Sequence, residues 1–140
     1  MTQPGLAQIS PALVERLRQS TDDVRHELVE RVCLLAVERA GVADPRLAEG
    51  LDAIRSRRFG NQELRSRLDV LTEELDEAAW DIQDRDDASD DEYRRAFVKA
   101  RAVAAVAFAV DGTLEASFDS LYEAYHAIDG EAAFLRSVGD

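Results

Sequence analysis

"SDDEYRRAFVKARAVAAVAFAVDG" runs from Ser89 to Gly112. Its reading decides the fold. Ser89 followed three residues later by Glu92 has the form of a capping box, in which serine bonds the amide three residues on and the glutamate reaches back. Asp90 and Asp91 fall in the first turn, where the helix dipole favours anions. The second half, from Ala102 to Val110, is apolar on every side. A helix with no polar face belongs at the centre of a protein. Its alanines allow close backbone approach to a neighbour. The apolar run is too short to span a bilayer. Asp111-Gly112 breaks the helix.

Working outward, the same pattern recurs at "TDDVRHELVERVCLLAVERAG", Thr21 to Gly41. Thr21 is the cap, Asp22 and Asp23 lie in the first turn, the second half is apolar nearly all round, and Gly41 stops it. Ser10-Pro11 opens a short helix to about Gln19, with proline at the first helical position. Asp44-Pro45 opens another, carrying Leu47, Leu51 and Ile54. Asn61 caps a helix with Leu64, Leu68, Leu71, Leu75, Ala78 and Ile82 on one stripe. After Gly112 a helix holds Leu114, Phe118, Leu121, Tyr125 and Ile128 and ends at Gly130. A short last helix covers Glu131 to Ser137. No alternating strand pattern occurs.

The expected fold is therefore all-α: an antiparallel bundle of about six or seven helices over residues 10–140, behind a flexible arm of residues 1–9. The two central helices are each followed by a glycine turn and then by Leu51-Asp52-x-Ile54 or Phe118-Asp119-x-Leu121. Two helical hairpins related by a pseudo-twofold axis account for this echo, as does chance similarity between amphipathic helices.

Composition bounds the function. The chain has 140 residues, 46% hydrophobic, with a net charge of −12. The start has no basic region followed by an apolar core, so a cytoplasmic protein is expected, with no membrane partner. The charge is uneven. Thr72 to Tyr93 holds eleven carboxylates against Arg85 alone, and the remainder is close to neutral. Ordinary nucleic-acid binding needs a basic face and is excluded on this balance. Basic proteins or peptides are the partners such a field attracts. Sixteen of the seventeen cations are arginine, with Lys99 the exception; a GC-rich genome encodes that bias. Cys33 lies in an apolar run and reads as an inert buried thiol.

The only tryptophan, Trp80, sits inside the acidic stretch. At about 100° per residue, the leucine stripe clusters within roughly 40° of Leu64, while Trp80 falls near 160°. Glu73, Glu77 and Asp84 share that far side, with Asp69 and Asp76 flanking. An indole in a ring of carboxylates suits an interface anchor with a polar rim, and its π face accepts a cation. The partner-binding residues expected are Trp80, Glu73, Glu77, Asp81 and Asp84. The alternative is that another helix, or the last segment with Phe134 and Leu135, covers the ring.

Two further motifs suggest other chemistry. Asp23-x-x-His26 and Glu123-x-x-His126 each put a carboxylate and an imidazole on one helix face. The second resembles the Glu-x-x-His element of ferritin-like di-iron bundles, which implies metal ligation by Asp23, His26, Glu123 and His126. That family pairs two such elements with glutamates from two further helices; here one copy has Asp for Glu, and Glu73 and Glu77 point away from the core. "EELDE", Glu73 to Glu77, resembles half of the magnesium site of the all-α nucleotide pyrophosphatases. Its complement is missing at the expected distance, since Glu92 is followed three residues later by Arg95. The stretch from Asp84 does not fit an EF-hand, having Ser89 at the sixth position and Arg95 at the twelfth. Phosphate loops and nucleophile elbows are absent from the chain. Arg55, Arg57, Arg58, Arg65 and Arg67 form a basic pole, read either as a patch for phosphate or an acidic partner, or as helix-end charges bridged to nearby carboxylates.

The sequence thus points to an acidic interaction module of inhibitor, immunity or adaptor type, with no cofactor. A metal-dependent or nucleotide-hydrolysing helical enzyme and a structural homo-oligomer subunit are the alternatives.

Overall fold

A computed structural model describes residues 5–85, 87, 89–128 and 131–139, with the side chain of residue 131 outside the description. These residues form eight helices and no strand: α1 (Gly5–Ile9), α2 (Pro11–Gln19), α3 (Asp22–Ala40), α4 (Pro45–Arg55), α5 (Gln62–Gln83), α6 (Asp90–Ala109), α7 (Leu114–Ala127) and α8 (Glu131–Val138). Among the described residues no helix is long and apolar enough to cross a membrane.

Local chemistry sets the starts. The side chains of Ser10, Thr21, Asp44, Asn61, Ser89 and Thr113 each accept a hydrogen bond from a backbone amide two or three residues on, at 2.8–3.2 Å. Each satisfies one of the donors that a helix start leaves orphaned. The box at Ser89 is only half formed. The Glu92 carboxylate pairs with Arg85, because a guanidinium offers a stronger, charge-assisted bond than the Ser89 amide. Gly41 ends α3 in the left-handed conformation (φ 69°).

The core is one apolar cluster to which all eight helices contribute. α6 lies at its centre, packed on α3, α4, α5 and α7. Ala100, Ala102, Ala104, Ala105, Ala107 and Ala109 are all buried along it. Their small side chains bring neighbouring backbones close. Gly50 of α4 marks the tightest approach: a methyl there would lie 2.9 Å from a Val106 side-chain carbon and 3.0 Å from one of Leu68. Gly112 is required twice over. Its φ of 75° suits glycine, and a Cβ would collide with the Phe59 ring.

The buried serines and Arg25 are paired. Ser120 Oγ donates to the Ala105 carbonyl (2.7 Å) and lies 3.4 Å from Cys33 Sγ. Arg25 is buried, and its guanidinium donates to Ser117 Oγ, Asp22 Oδ1 and the Gly112 carbonyl. It clasps the turn between α6 and α7 to α3.

Three expectations are corrected. Residues 5–9, expected within a loose arm, form α1 against α2 and α7, because Leu6 is buried and Gly5 lets the backbone rest on the Tyr122 ring; residues 1–4 of that arm, like Gly130, lie outside the described residues. Counting α1, the described residues hold eight helices instead of six or seven. Ala78 is exposed and Ala79 buried. Each four-residue step advances about 40° around a helix, so the buried stripe of α5 slants from Leu71 through Leu75 to Ala79.

Candidate interaction face on the fifth helix

Helix α5 is held against the bundle by Leu64, Leu68, Leu71 and Ala79. Opposite them lies a face turned to solvent. Trp80 is 58% exposed, the most exposed of the large apolar side chains described. The last segment does not cover it. α8 packs on α3 and α7, with Phe134 buried edge-on to Tyr125, ring centroids 5.3 Å apart.

Glu73, Glu77, Asp81 and Asp84 are exposed beside Trp80. By helical spacing they share one side of α5 with Val70 and Trp80, within an arc of about 100° and a length of about 21 Å. Val70 is 47% exposed. Val70 is not among the residues expected from the sequence; its position, about 120° from Leu64 around the helix, is the signal that could have found it.

Ion pairing separates two kinds of acid on this helix. Asp69 accepts from Arg65 (3.0 Å), Glu74 from Arg46 (3.0 Å), and Asp76 accepts from Arg101 Nη2 through both carboxylate oxygens at 2.9–3.0 Å. Glu74 and Asp76 are neutralised from α4 and α6, and Asp69 from within α5 itself. Glu73, Glu77, Asp81 and Asp84 have no cationic partner among the described residues. The uncompensated charge therefore surrounds the exposed indole. Asp86, part of the same acidic run, lies outside the described residues.

The histidine-carboxylate pairs are engaged elsewhere. His26 Nε2 lies 3.0 Å from the Gly112 carbonyl, and its ring packs on Phe59 at 4.3 Å. Glu123 accepts from Arg101 at 2.5 Å. His126 stands edge-on to Tyr122 and Tyr125. The two pairs sit at opposite ends of α7, one beside Gly112 before its start and one in its last turns. Asp23 is exposed. Among the described residues, no group of three or more His, Cys, Asp or Glu is placed to hold a metal ion. The "EELDE" acids diverge: Glu73 and Glu77 face solvent, and Glu74 and Asp76 are tied to arginines.

The basic pole is neutralised within the chain. Arg55 and Arg58 hold Asp52, Arg57 holds Glu30, Arg65 holds Asp69 and Asp111, and Arg67 grips Glu49 with both nitrogens. These arginines follow the helix-end, carboxylate-bridging reading. Cys33 is fully buried, and burial pushes its thiol up to about 12. It is unsuited to nucleophilic chemistry.

No protein-family model, no curated protein and no solved structure matches this chain.

Proposed function

We propose that the protein is an acidic docking module that occupies a basic surface on a partner protein. Trp80 is the anchor, and Glu73, Glu77, Asp81 and Asp84 form the charged rim. The observation that carries the reading is the exposure of the indole among carboxylates that nothing in the described chain neutralises. Large apolar side chains are normally covered, and tryptophan at the centre of a contact contributes more than most residues. A basic partner would place an arginine or lysine over the π face while the rim speeds and orients its approach. Inhibitor, immunity and adaptor proteins all work by such occupation. The cytoplasm is the compartment the reading assigns. The hairpin echo belongs to the same proposal: α3 and α6 are both capped central helices followed by a positive-φ glycine, Gly41 or Gly112, and then by a shorter helix.

Trp80→Ala tests the reading. Affinity capture of basic proteins from lysate at low salt is compared for wild type and variant, alongside thermal melts. The variant is expected to lose the salt-eluted partner by at least about tenfold, the effect of a hot-spot truncation. Its melting temperature should stay within about 2 °C, because an exposed side chain contributes little to folding. A large drop in melting temperature, or capture unchanged by the substitution, sinks the proposal.

A further inference from the structure

A cavity of about 260 Å³ opens between the ends of α3 and α7 and the first half of α6. It is lined by Arg39, Ala40, Asp91, Arg94, Arg95, Val98, Lys99 and Ala127. Four of those eight residues are cations, in a chain of net charge −12. Elsewhere the arginines of this protein are mostly engaged with carboxylates, from Arg25 with Asp22 to Arg101 with Asp76 and Glu123. Here Arg39, Arg95 and Lys99 have no anionic partner among the described residues, although the chain offers 29 acids. Arg94 has a partner of its own. Asp91 is the sole acid on the wall.

Gathering like charges in a recess raises the energy of the folded protein unless an anion joins them. The helix dipole accounts for Arg39, which stands in the last turn of α3. It does not account for Arg95 and Lys99, which lie one turn apart within α6 and beyond the reach of either end of its dipole. These two side chains also wall a second cavity of about 280 Å³ between α5 and α6, with Leu75, Ala78, Ile82 and Ala96 and with Glu92, whose carboxylate is taken by Arg85. They form a cationic ridge between two recesses. Beside them Val98, Ala40 and Ala127 supply apolar wall.

We propose that this cavity binds a small organic phosphate. The phosphate group is held by Arg39, Arg95 and Lys99, and its carbon portion rests on Val98, Ala40 and Ala127. A phosphomonoester carries nearly two negative charges and three acceptor oxygens, matching three unpaired donors better than a single carboxylate does. Arginine forks present two parallel N–H groups to such an anion. The volume lies just below the roughly 300–1,000 Å³ of drug-sized sites, so the ligand is small.

The test is calorimetric titration at constant ionic strength with glycerol 3-phosphate, inorganic phosphate and succinate. Glycerol 3-phosphate is expected to bind saturably and most tightly of the three. Arg95→Gln and Lys99→Gln should each weaken it by at least about tenfold, as expected for loss of a hydrogen bond to a charged group, with the circular dichroism spectrum unchanged. Arg136→Gln, an exposed arginine that lines no part of the cavity, should leave binding as in wild type. Absence of saturable binding overturns the site. So does equal weakening by Arg136→Gln, which would mark a diffuse charge effect. Succinate binding as tightly as glycerol 3-phosphate overturns the phosphate assignment, and inorganic phosphate doing so overturns the organic portion.

Discussion

Asp44 shows how much one residue does at a helix start. It caps α4 through the Arg46 amide (2.8 Å), and its carboxylate takes two contacts from the Arg46 guanidinium at 3.0 Å. The hydrogen bonds from the Arg46 side chain and then its backbone hold the Asp44 carboxyl below the usual carboxylate range. A depressed folded value means that the stabilisation is fully present above the unfolded value, about 3.9, and is lost as pH falls through the folded one. Asp44→Asn keeps a capping side chain but removes the titration. Urea melts should therefore show wild type ahead of the variant at pH 7 and pH 5. That gap should close as pH falls below about 4. A gap that persists at the lowest pH would mean that the carboxylate charge contributes nothing.

Between elements, Arg101 joins three helices. From α6 it reaches Asp76 of α5 at 2.9 Å and Glu123 of α7 at 2.5 Å, with side-chain exposures of 18%, 25% and 15% respectively. Its guanidinium also lies over the Phe97 ring, 5.5 Å from the centroid. Such a half-buried triad lies between exposed pairs, which contribute little, and fully buried ones, whose disruption costs several kcal/mol. Arg101→Met should destabilise by about 2 kcal/mol, since it leaves two carboxylates facing each other. Adding Asp76→Asn and Glu123→Gln should recover part of that loss, because the residual repulsion disappears. Denaturant midpoints with unchanged slope would report both effects; equal stability of the single and triple variants would contradict the like-charge account. Sequence periodicity indicated the helices themselves well, and five of the six caps stood out as Ser, Thr, Asp or Asn before an apolar-periodic run. α1 was not legible. Five residues are too few to show a period, and its helix is held by burial of Leu6 in tertiary contacts.

Over the whole molecule, charge is segregated instead of merely negative. Acids such as Asp76 and Glu123 are paired between helices, others such as Asp22, Asp52 and Asp69 within one, and unpaired ones crowd the outer face of α5. Self-repulsion within that region opposes the compact state, and salt screens it. Exposed ion pairs elsewhere contribute little for salt to remove. The melting temperature is expected to rise by a few degrees between about 20 mM and 300 mM sodium chloride, where the Debye length shortens to under ~10 Å. Replacing Glu73, Glu77 and Asp84 with their amides should flatten that rise. Capture of a basic partner should move the opposite way and weaken with salt. A melting temperature that falls with salt would show that the paired network dominates.

The sequence by itself determined that this protein is helical, where most helices begin and end, and that Trp80 stands apart from the leucine stripe of its helix. Those properties rest on backbone capping and on a 3.6-residue period, both local. Only the tertiary structure decided which charges remain unspent. Helical spacing set Asp69 and Asp76 to the flanks of Glu73 and Glu77, but it did not say which of these acids an arginine would take. The five arginines of the basic pole look no different from Arg39, Arg95 and Lys99. Whether a charge finds an opposite depends on which helices pack together and at what register, and that is set by the apolar core and not by the charged residues themselves.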